Sequence, residues 1–341
     1  MRTLGCTLAA LLALALPAGA STLLVEGAGD GHGVGMSQDG ALGYAQHGWT
    51  DAQILAHYYT DTTLGQAPAN RIVKVLEGSK VVKVGLERYV RGVVSAEMPA
   101  SWPMAALEAQ AIASRTYALT ADAGGSRFDV YADTRSQMYL GTAAETASTN
   151  AAIAATAGQI VEYEGRPAIT YYFASSGGIT EDNQNSFLGS TPEPWLRGVP
   201  DSYETTASKW KLSMSFASAG SRLSGLVKGS FRGIEVLERG VSPRIVAAEV
   251  LGSRGTEPVS GPELEARLGL DSAWAYFSVK SGTHVTREPD ASGRPTFTAP
   301  AAESPPATAP APTPGPQGGE AAPASAASTS SAAGTGGVAA G

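Results

Sequence analysis

The stretch Leu86-Glu-Arg-Tyr-Val-Arg-Gly-Val-Val-Ser-Ala-Glu-Met-Pro-Ala-Ser-Trp-Pro-Met-Ala-Ala-Leu-Glu-Ala-Gln-Ala-Ile-Ala-Ser-Arg-Thr-Tyr117 decides how this chain is read. Pro99 and Pro103 divide it into an approach and a long helical run. Ser101 suits an N-cap, and Pro103 suits the first turn, where a missing N–H costs nothing. Ala, Leu, Glu and Gln then continue to Leu119 without a breaker. Leu107, Ala111, Ser114 and Ala118 form a narrow stripe of small side chains, which predicts close packing on one face. Glu97 falls in the Pro-bounded turn just before this helix. Fixed by rigid neighbours, it suits proton transfer. The plainer reading is a carboxylate favoured by the helix dipole, worth about 0.3–1 kcal/mol. The local pattern alone allows both.

The ends read differently from the middle. Met1-Arg2, the apolar run Leu4 to Leu16 and Pro17-Ala-Gly-Ala20 predict a cleaved secretory signal over residues 1–20, and hence a secreted, periplasmic or envelope protein. Cys6 is the one cysteine and lies inside that signal, ahead of the apolar run, so neither disulfide nor thiolate zinc chemistry is expected in the mature chain. Residues 281–341, above all from Pro289 on, are rich in Pro, Ala, Ser and Gly and predict a disordered tail. Residues 21–280 remain as the folded unit, in one lobe or two. A formal charge of −7 with no basic block argues against nucleic acid, and no later segment is long enough to span a membrane.

Within that unit the pattern predicts an α+β fold: antiparallel hairpins with two main helices around a substrate groove. Arg71 to Val84 alternates about a turn at Glu77-Gly-Ser79, which is a hairpin signal. Ala143 to Thr156 reads as the second helix, closed by Gly158. Gln159 to Tyr163 and Ala168 to Ala174 read as another hairpin. Leu23 to Val25, Lys209 to Phe216, Phe231 to Arg239 and Arg244 to Leu251 read as strands. Gln53 to Tyr58 and Ser260 to Leu270 read as short helices.

Three tracts together resemble the SpoIID/LytB family, the stage II sporulation protein D and amidase-enhancer group. The opening stretch matches a signature of the type E-Y-L-x-G-V-V-x-x-E-M-P-x-x-W-P-x-E-A-L-K-A-Q-A-x-A-A-R-T-Y. Gly31-His-Gly-Val-Gly-Met-Ser-Gln-Asp-Gly-Ala41, followed by Ile54-Leu-Ala-His-Tyr-Tyr59, matches a second, and Ala174-Ser-Ser-Gly-Gly178 a third. The resemblance covers roughly residues 22 to 278. It implies that Glu97 is the acid and then the base of a lytic transglycosylase. The bond cleaved would be the MurNAc–GlcNAc linkage of peptide-stripped peptidoglycan strands, leaving 1,6-anhydroMurNAc ends. It equally admits a non-catalytic peptidoglycan-binding protein that stimulates a cell-wall amidase.

The same resemblance points to substrate contacts at His32, Ser37, Gln38, Gln110, Arg115, Ser175 and Ser176. Each also has a plainer reading. His32 stands among glycines with no partner His at helical spacing, a poor metal pattern, and those glycines suit either a tight turn or close approach to a glycan. Gln110 and Arg115 fit sugar contacts or an internal network equally well. Ser175 and Ser176 lack the G-x-S-x-G spacing of a nucleophile and fit a polar rim. Trp195 suits sugar stacking or ordinary packing. Asp30 and Asp39 replace a Trp and an aromatic of the family tract. Tyr131, Arg135 and Ser136 stand where some members carry zinc ligands, so no metal and no cofactor are carried over.

Overall fold

A computed structural model describes residues 21–204 and 208–287. The expected signal, 1–20, and the tail from residue 288 on lie outside the described residues. In chain order the elements are β1 (Thr22–Ala28), β2 (Met36–Ser37), α1 (Gln38–Gln46), α2 (Asp51–Tyr58), β3 (Thr63–Gln66), β4 (Ile72–Glu77), β5 (Lys80–Gly85), α3 (Leu86–Glu97), α4 (Met104–Thr120) and β6 (Val130–Tyr131). A 3₁₀ turn at Gly141–Ala144 leads to α5 (Ala147–Ala155), β7 (Gln159–Tyr163), β8 (Arg166–Pro167), β9 (Tyr172–Phe173) and α6 (Asn183–Ser186). The last third holds β10 (Lys209–Ser215), α7 (Phe216–Arg222), β11 (Phe231–Arg239), β12 (Ile245–Gly252), β13 (Gly255–Ser260), α8 (Gly261–Leu268), β14 (Ala275–Ser281) and β15 (His284–Arg287).

The class is α+β. Four-stranded β10-β1-β14-β15 and three-stranded β11-β12-β13 and β3-β7-β8 are antiparallel, as hairpin patterns require. Two short parallel pairs, β4 with β6 and β2 with β9, add to them. The expected hairpin at 71–84 is β4–β5, paired from Ile72–Gly85 to Glu77–Lys80. The 168–174 strand departs from expectation: only Tyr172 and Phe173 are extended in pairing, and their partner is β2 rather than β7. β15 carries the first sheet past Lys280, the expected edge of the folded unit.

The helix expected at 143–156 is present but shorter than the pattern put it. α5 covers only Ala147–Ala155, with Thr146 and Thr149 in a reciprocal capping box, while α3 at 12 residues is second in length to α4 at 17. α4 is no single-faced amphipath either. Leu107, Ala109, Ile112 and Ala113 enter a core with Met36, Tyr58 and Leu196, and Ala111 and Ala118 enter another with Val75, Val90 and Val130. A helix buried on opposite sides needs small side chains, and its alanines supply them. A third core, with Leu23, Ile234, Val250 and Leu264, lies under the C-terminal sheets.

Candidate functional site

α3 forms because Leu86, Tyr89, Val90, Val93 and Val94 recur at helical spacing and are all buried, against Val73 and Val75 of the hairpin. It stops because Met98 precedes a proline, which forces that residue to extended backbone at φ −127° and ψ 141°. Glu97 is therefore the last residue of a helix, not a residue in the approach to the next one. The correction reverses the dipole argument. A helix C-terminus carries partial negative charge, so the charged carboxylate is disfavoured there rather than stabilised. The predicted cap shifts too: Pro103 itself is the N-cap of α4, without a side-chain bond, and Ser101 lies exposed in the turn.

Glu97 is mostly buried, and burial pushes its carboxyl above the usual carboxylate range. Three groups oppose that push: the Met138 backbone N–H, then the Gln38 amide, then the Tyr172 hydroxyl. The Met138 backbone N–H donates to Oε1 at 2.7 Å, and Gln38 Nε2 donates to Oε2 at 3.3 Å. The first bond is short and the second is long, so the two oxygens are unequal. Gln38 Nε2 also reaches the Glu97 main-chain oxygen at 3.4 Å and Gln110 Oε1 at 3.5 Å. Gln110 Nε2 passes on to Ser114 Oγ at 2.9 Å. Gln38, Glu97 and Gln110 are thus brought together.

The pairing of β2 with β9 places Met36 beside Tyr172 and so sets Gln38 and Tyr172 about the same carboxyl. Gly35 permits this approach. It sits at φ +78°, and a Cβ there would meet the Tyr171 carbonyl oxygen at 2.1 Å. Tyr172 donates to Gln137 Oε1 at 2.8 Å, and Gln137 Nε2 donates to Tyr89 Oη at 3.1 Å. Met138, Gln137 and Tyr172 were not legible as site residues. The one sequence signal is a family-like Gln-x-Tyr at Gln137 and Tyr139, and it says nothing of direction.

The predicted serines belong to a neighbouring acid cluster. Ser37 caps α1, accepting from Gly40 N at 3.0 Å. Ser175 and Ser176 both donate to the Glu204 carboxylate, which also accepts from Gly178 N at 2.9 Å. Asp201 accepts from Tyr58 Oη at 2.8 Å and is pushed up to about 7 by burial and then by Glu204. Glu204 is raised as well, chiefly by burial. The serines are spent on internal acids, and the pattern of the sequence gave no warning of Asp201 or Glu204.

Three further expectations take their plainer form. His32 is packed among Tyr171, Phe173 and Phe187, with Nδ1 accepting from Val34 N at 3.1 Å, and burial lowers its pKa to about 4. It is a neutral turn residue. Arg115 is fully buried and gives Nε and Nη2 to Glu87 and Nη1 to the Gln159 carbonyl, so it has no free edge for a sugar. Trp195 donates to Ile169 O at 2.9 Å and packs on Tyr163, which is ordinary core contact. Cavities of about 610 and 530 Å³ flank the first turn of α3 at Arg88, and Glu97 at its far end lines neither. Among the described residues no three His, Cys, Asp or Glu side chains are grouped as a metal ion needs.

Residues 77–163 match the family described as SpoIID, stage II sporulation protein. This segment resembles a SpoIID domain. It holds Glu97, Gln110, Gln137 and Met138, while Gln38 and Tyr172 reach in from either side of it. Stage II sporulation protein D of Bacillus subtilis is 28% identical over 232 residues, covering 62% of this chain and 65% of that protein. An uncharacterized protein of Brachyspira hyodysenteriae is 35% identical over 169 residues, 49% of this chain and 43% of its own. The amidase enhancer of Bacillus subtilis is 34% identical over 103 residues, 30% of this chain and 14% of its own. The chain thus spans less than two thirds of either of the first two relatives. Among the described residues no helix is long and apolar enough to cross a membrane.

Proposed function

We propose that this chain acts on the bacterial cell wall as an exported lytic transglycosylase of peptidoglycan glycan strands, with Glu97 as its acid and base. Similarity to stage II sporulation protein D and to an amidase enhancer supports a cell-wall role. The observation that carries the chemistry is the unequal pair of oxygens on Glu97. Met138 N–H pins Oε1 as an acceptor at 2.7 Å, and Oε2, met by the longer 3.3 Å Gln38 contact, is the oxygen that can carry the proton. Burial and the C-terminus of α3 both favour that protonated form.

In this reading Glu97 gives its proton to the glycosidic oxygen as the C1–O bond of the muramyl sugar breaks. The leaving sugar departs as an alcohol. The carboxylate then takes the proton of the muramyl C6 hydroxyl, whose oxygen bonds to C1, and the acid is restored. One carboxylate suffices, where ordinary glycosidases need two. Mass spectrometry of peptide-stripped strands incubated with the protein tests this. Anhydromuramyl ends should form with the intact protein and be absent with Glu97→Gln; cleavage retained in the variant would overturn it.

A second reading has one specific observation in its favour. Asp39, in place of an aromatic of the family tract, is half-buried and raised by burial, so it offers no ring for a sugar to stack on. A non-catalytic domain that binds glycan and stimulates an amidase would fit that. No cleavage, with glycan binding kept and amidase turnover raised in a reconstituted mixture, is its signature.

A further inference from the structure

Two cavities meet at the first turn of α3. One, of about 610 Å³, lies between β5 and residues 139–142; the other, of about 530 Å³, lies between residues 67–72 and the start of α3. Gly85 and Arg88 line both, so the two adjoin as one groove. No side chain on Gly85 divides them, and a Cβ there would meet nothing within 4 Å. Each cavity holds one exposed apolar side chain, Leu140 in the larger and Ile72 in the smaller.

The charged side chains lining the groove are Arg71, Lys83 and Arg88, against Glu77 and Glu87. Arg115 already holds Glu87, and Arg71 reaches Asp129 only at 3.9 Å. The side chains of Lys83, Arg88 and Glu77 form no hydrogen bond or ion pair among the described residues. Arg115, Ser175 and Ser176 are the opposite case, with their polar atoms engaged inside the fold. The groove is thus locally cationic in a chain of formal charge −7, and its cations are available to a ligand.

One segment joins this groove to the acid. Residues 137–141 run along α3, with Met138 N–H on Glu97 and Leu140 N–H on the Gly92 carbonyl at 3.2 Å. Tyr139 and Leu140 of the same segment line the larger cavity. Gly92 lets the segment lie so close, since a Cβ there would stand 2.6 Å from Tyr139 Cε2.

We infer that this groove binds glycan strand through the free carboxylates of its muramyl lactyl groups, with Arg88 and Lys83 as their partners. Guanidinium and ammonium groups bind carboxylates by charge-assisted hydrogen bonds. A stem peptide ties each lactyl carboxylate up in an amide, so a strand that keeps its peptides presents no charge at that point. The groove thereby distinguishes stripped strands from unstripped ones. The identity of the polymer rests on the proposed function; the cationic groove and its link to the Glu97 segment do not.

Calorimetric titration of the full chain carrying Glu97→Gln tests this with three probes: peptide-stripped strands, the same strands with their lactyl carboxylates converted to amides, and polyglutamate. Stripped strands should bind about tenfold more tightly than amidated ones, the scale of one charge-assisted contact. Arg88→Ala should remove that preference. Gly85→Asp sets a carboxylate beside Arg88, at φ −60° and ψ 141°, which any residue adopts, and should weaken stripped strands to the level of amidated ones. Gly85→Asn, of equal shape and no charge, should keep the preference. Both residues suit a helix N-cap, so both variants should melt no lower than the parent. Equal binding of free and amidated strands, equal behaviour of the two Gly85 variants, or tighter binding of polyglutamate than of stripped strands overturns the inference. The first of these comparisons needs no change in the groove. Cleavage is read separately on the wild type. A chain that makes no anhydromuramyl ends yet prefers free carboxylates refutes the proposed function alone, and one that makes them without that preference refutes the groove alone.

Discussion

Arg115 and Glu87 form a two-bond ion pair between α4 and α3, with Nε on Oε1 at 2.8 Å and Nη2 on Oε2 at 2.9 Å. The partners are unequal in exposure: the arginine side chain is 0% exposed and the glutamate 40%. Removing one or the other is therefore not the same experiment.

Glu87→Leu strands a buried guanidinium with only the carbonyls of Gln159 and Ala111 for company, and should cost about 3 kcal/mol in urea denaturation. Arg115→Met leaves a carboxylate that water can reach and fills the space with an apolar chain. It should cost clearly less. The opposite order would mean that the pair does not matter through desolvation.

Asp201 predicts a pH signature. Its folded pKa, about 7, lies above the ordinary value near 3.8, so the folded state holds a proton that the unfolded state has lost. That contribution to stability is complete below the unfolded value and disappears as pH rises through 7. The melting temperature should fall across this window, and Asp201→Asn, which still accepts from Tyr58, should flatten the fall. A difference curve of the two proteins that is level from pH 4 to 8 would refute the assignment.

Gly35→Ala asks a side chain to adopt φ +78° with its Cβ in contact with the Tyr171 oxygen. The backbone strain alone is worth about 1–3 kcal/mol. A loss of at least that size is expected in thermal denaturation, together with a disturbed ¹³C NMR signal of Glu97, because β2 and β9 position both Gln38 and Tyr172. A neutral substitution would show that the pairing is looser than drawn.

Gln38→Leu removes a donor that favours the charged form of Glu97. The Glu97 midpoint, followed by ¹³C NMR of labelled glutamate, should move up, and the pH above which glycan turnover declines should move up with it. An unmoved midpoint would mean that the long 3.3 Å contact carries nothing.

What could be read beforehand followed local chemistry. The β4–β5 hairpin was written in its alternation, and α8 in Ser260 and Glu263, whose side-chain-to-backbone cap is present at 3.2 Å. Glu97, Gln38 and Gln110 were named from motif positions, and they do meet. α3 is written there too, in the helical spacing of Leu86, Tyr89, Val90, Val93 and Val94, although Pro99 close behind it also carries the pattern of a turn.

The rest is long-range. Nothing near Ser175 or Ser176 announces that Glu204 will take their hydroxyls, and nothing at Arg115 says that Glu87, on a separate helix, will claim it. Pairing of Tyr172 with Met36 rather than with β7 depends on where the chain returns, which no window of residues contains.

The hold on Glu97 Oε1 comes from the main chain of Met138. Nineteen of the twenty genetically encoded residues carry that N–H, and proline alone lacks it. Position 138 can therefore drift through almost any identity over generations while the acid stays anchored. A survey of variation would pass over it as an indifferent site, and its importance would surface only as one missing letter.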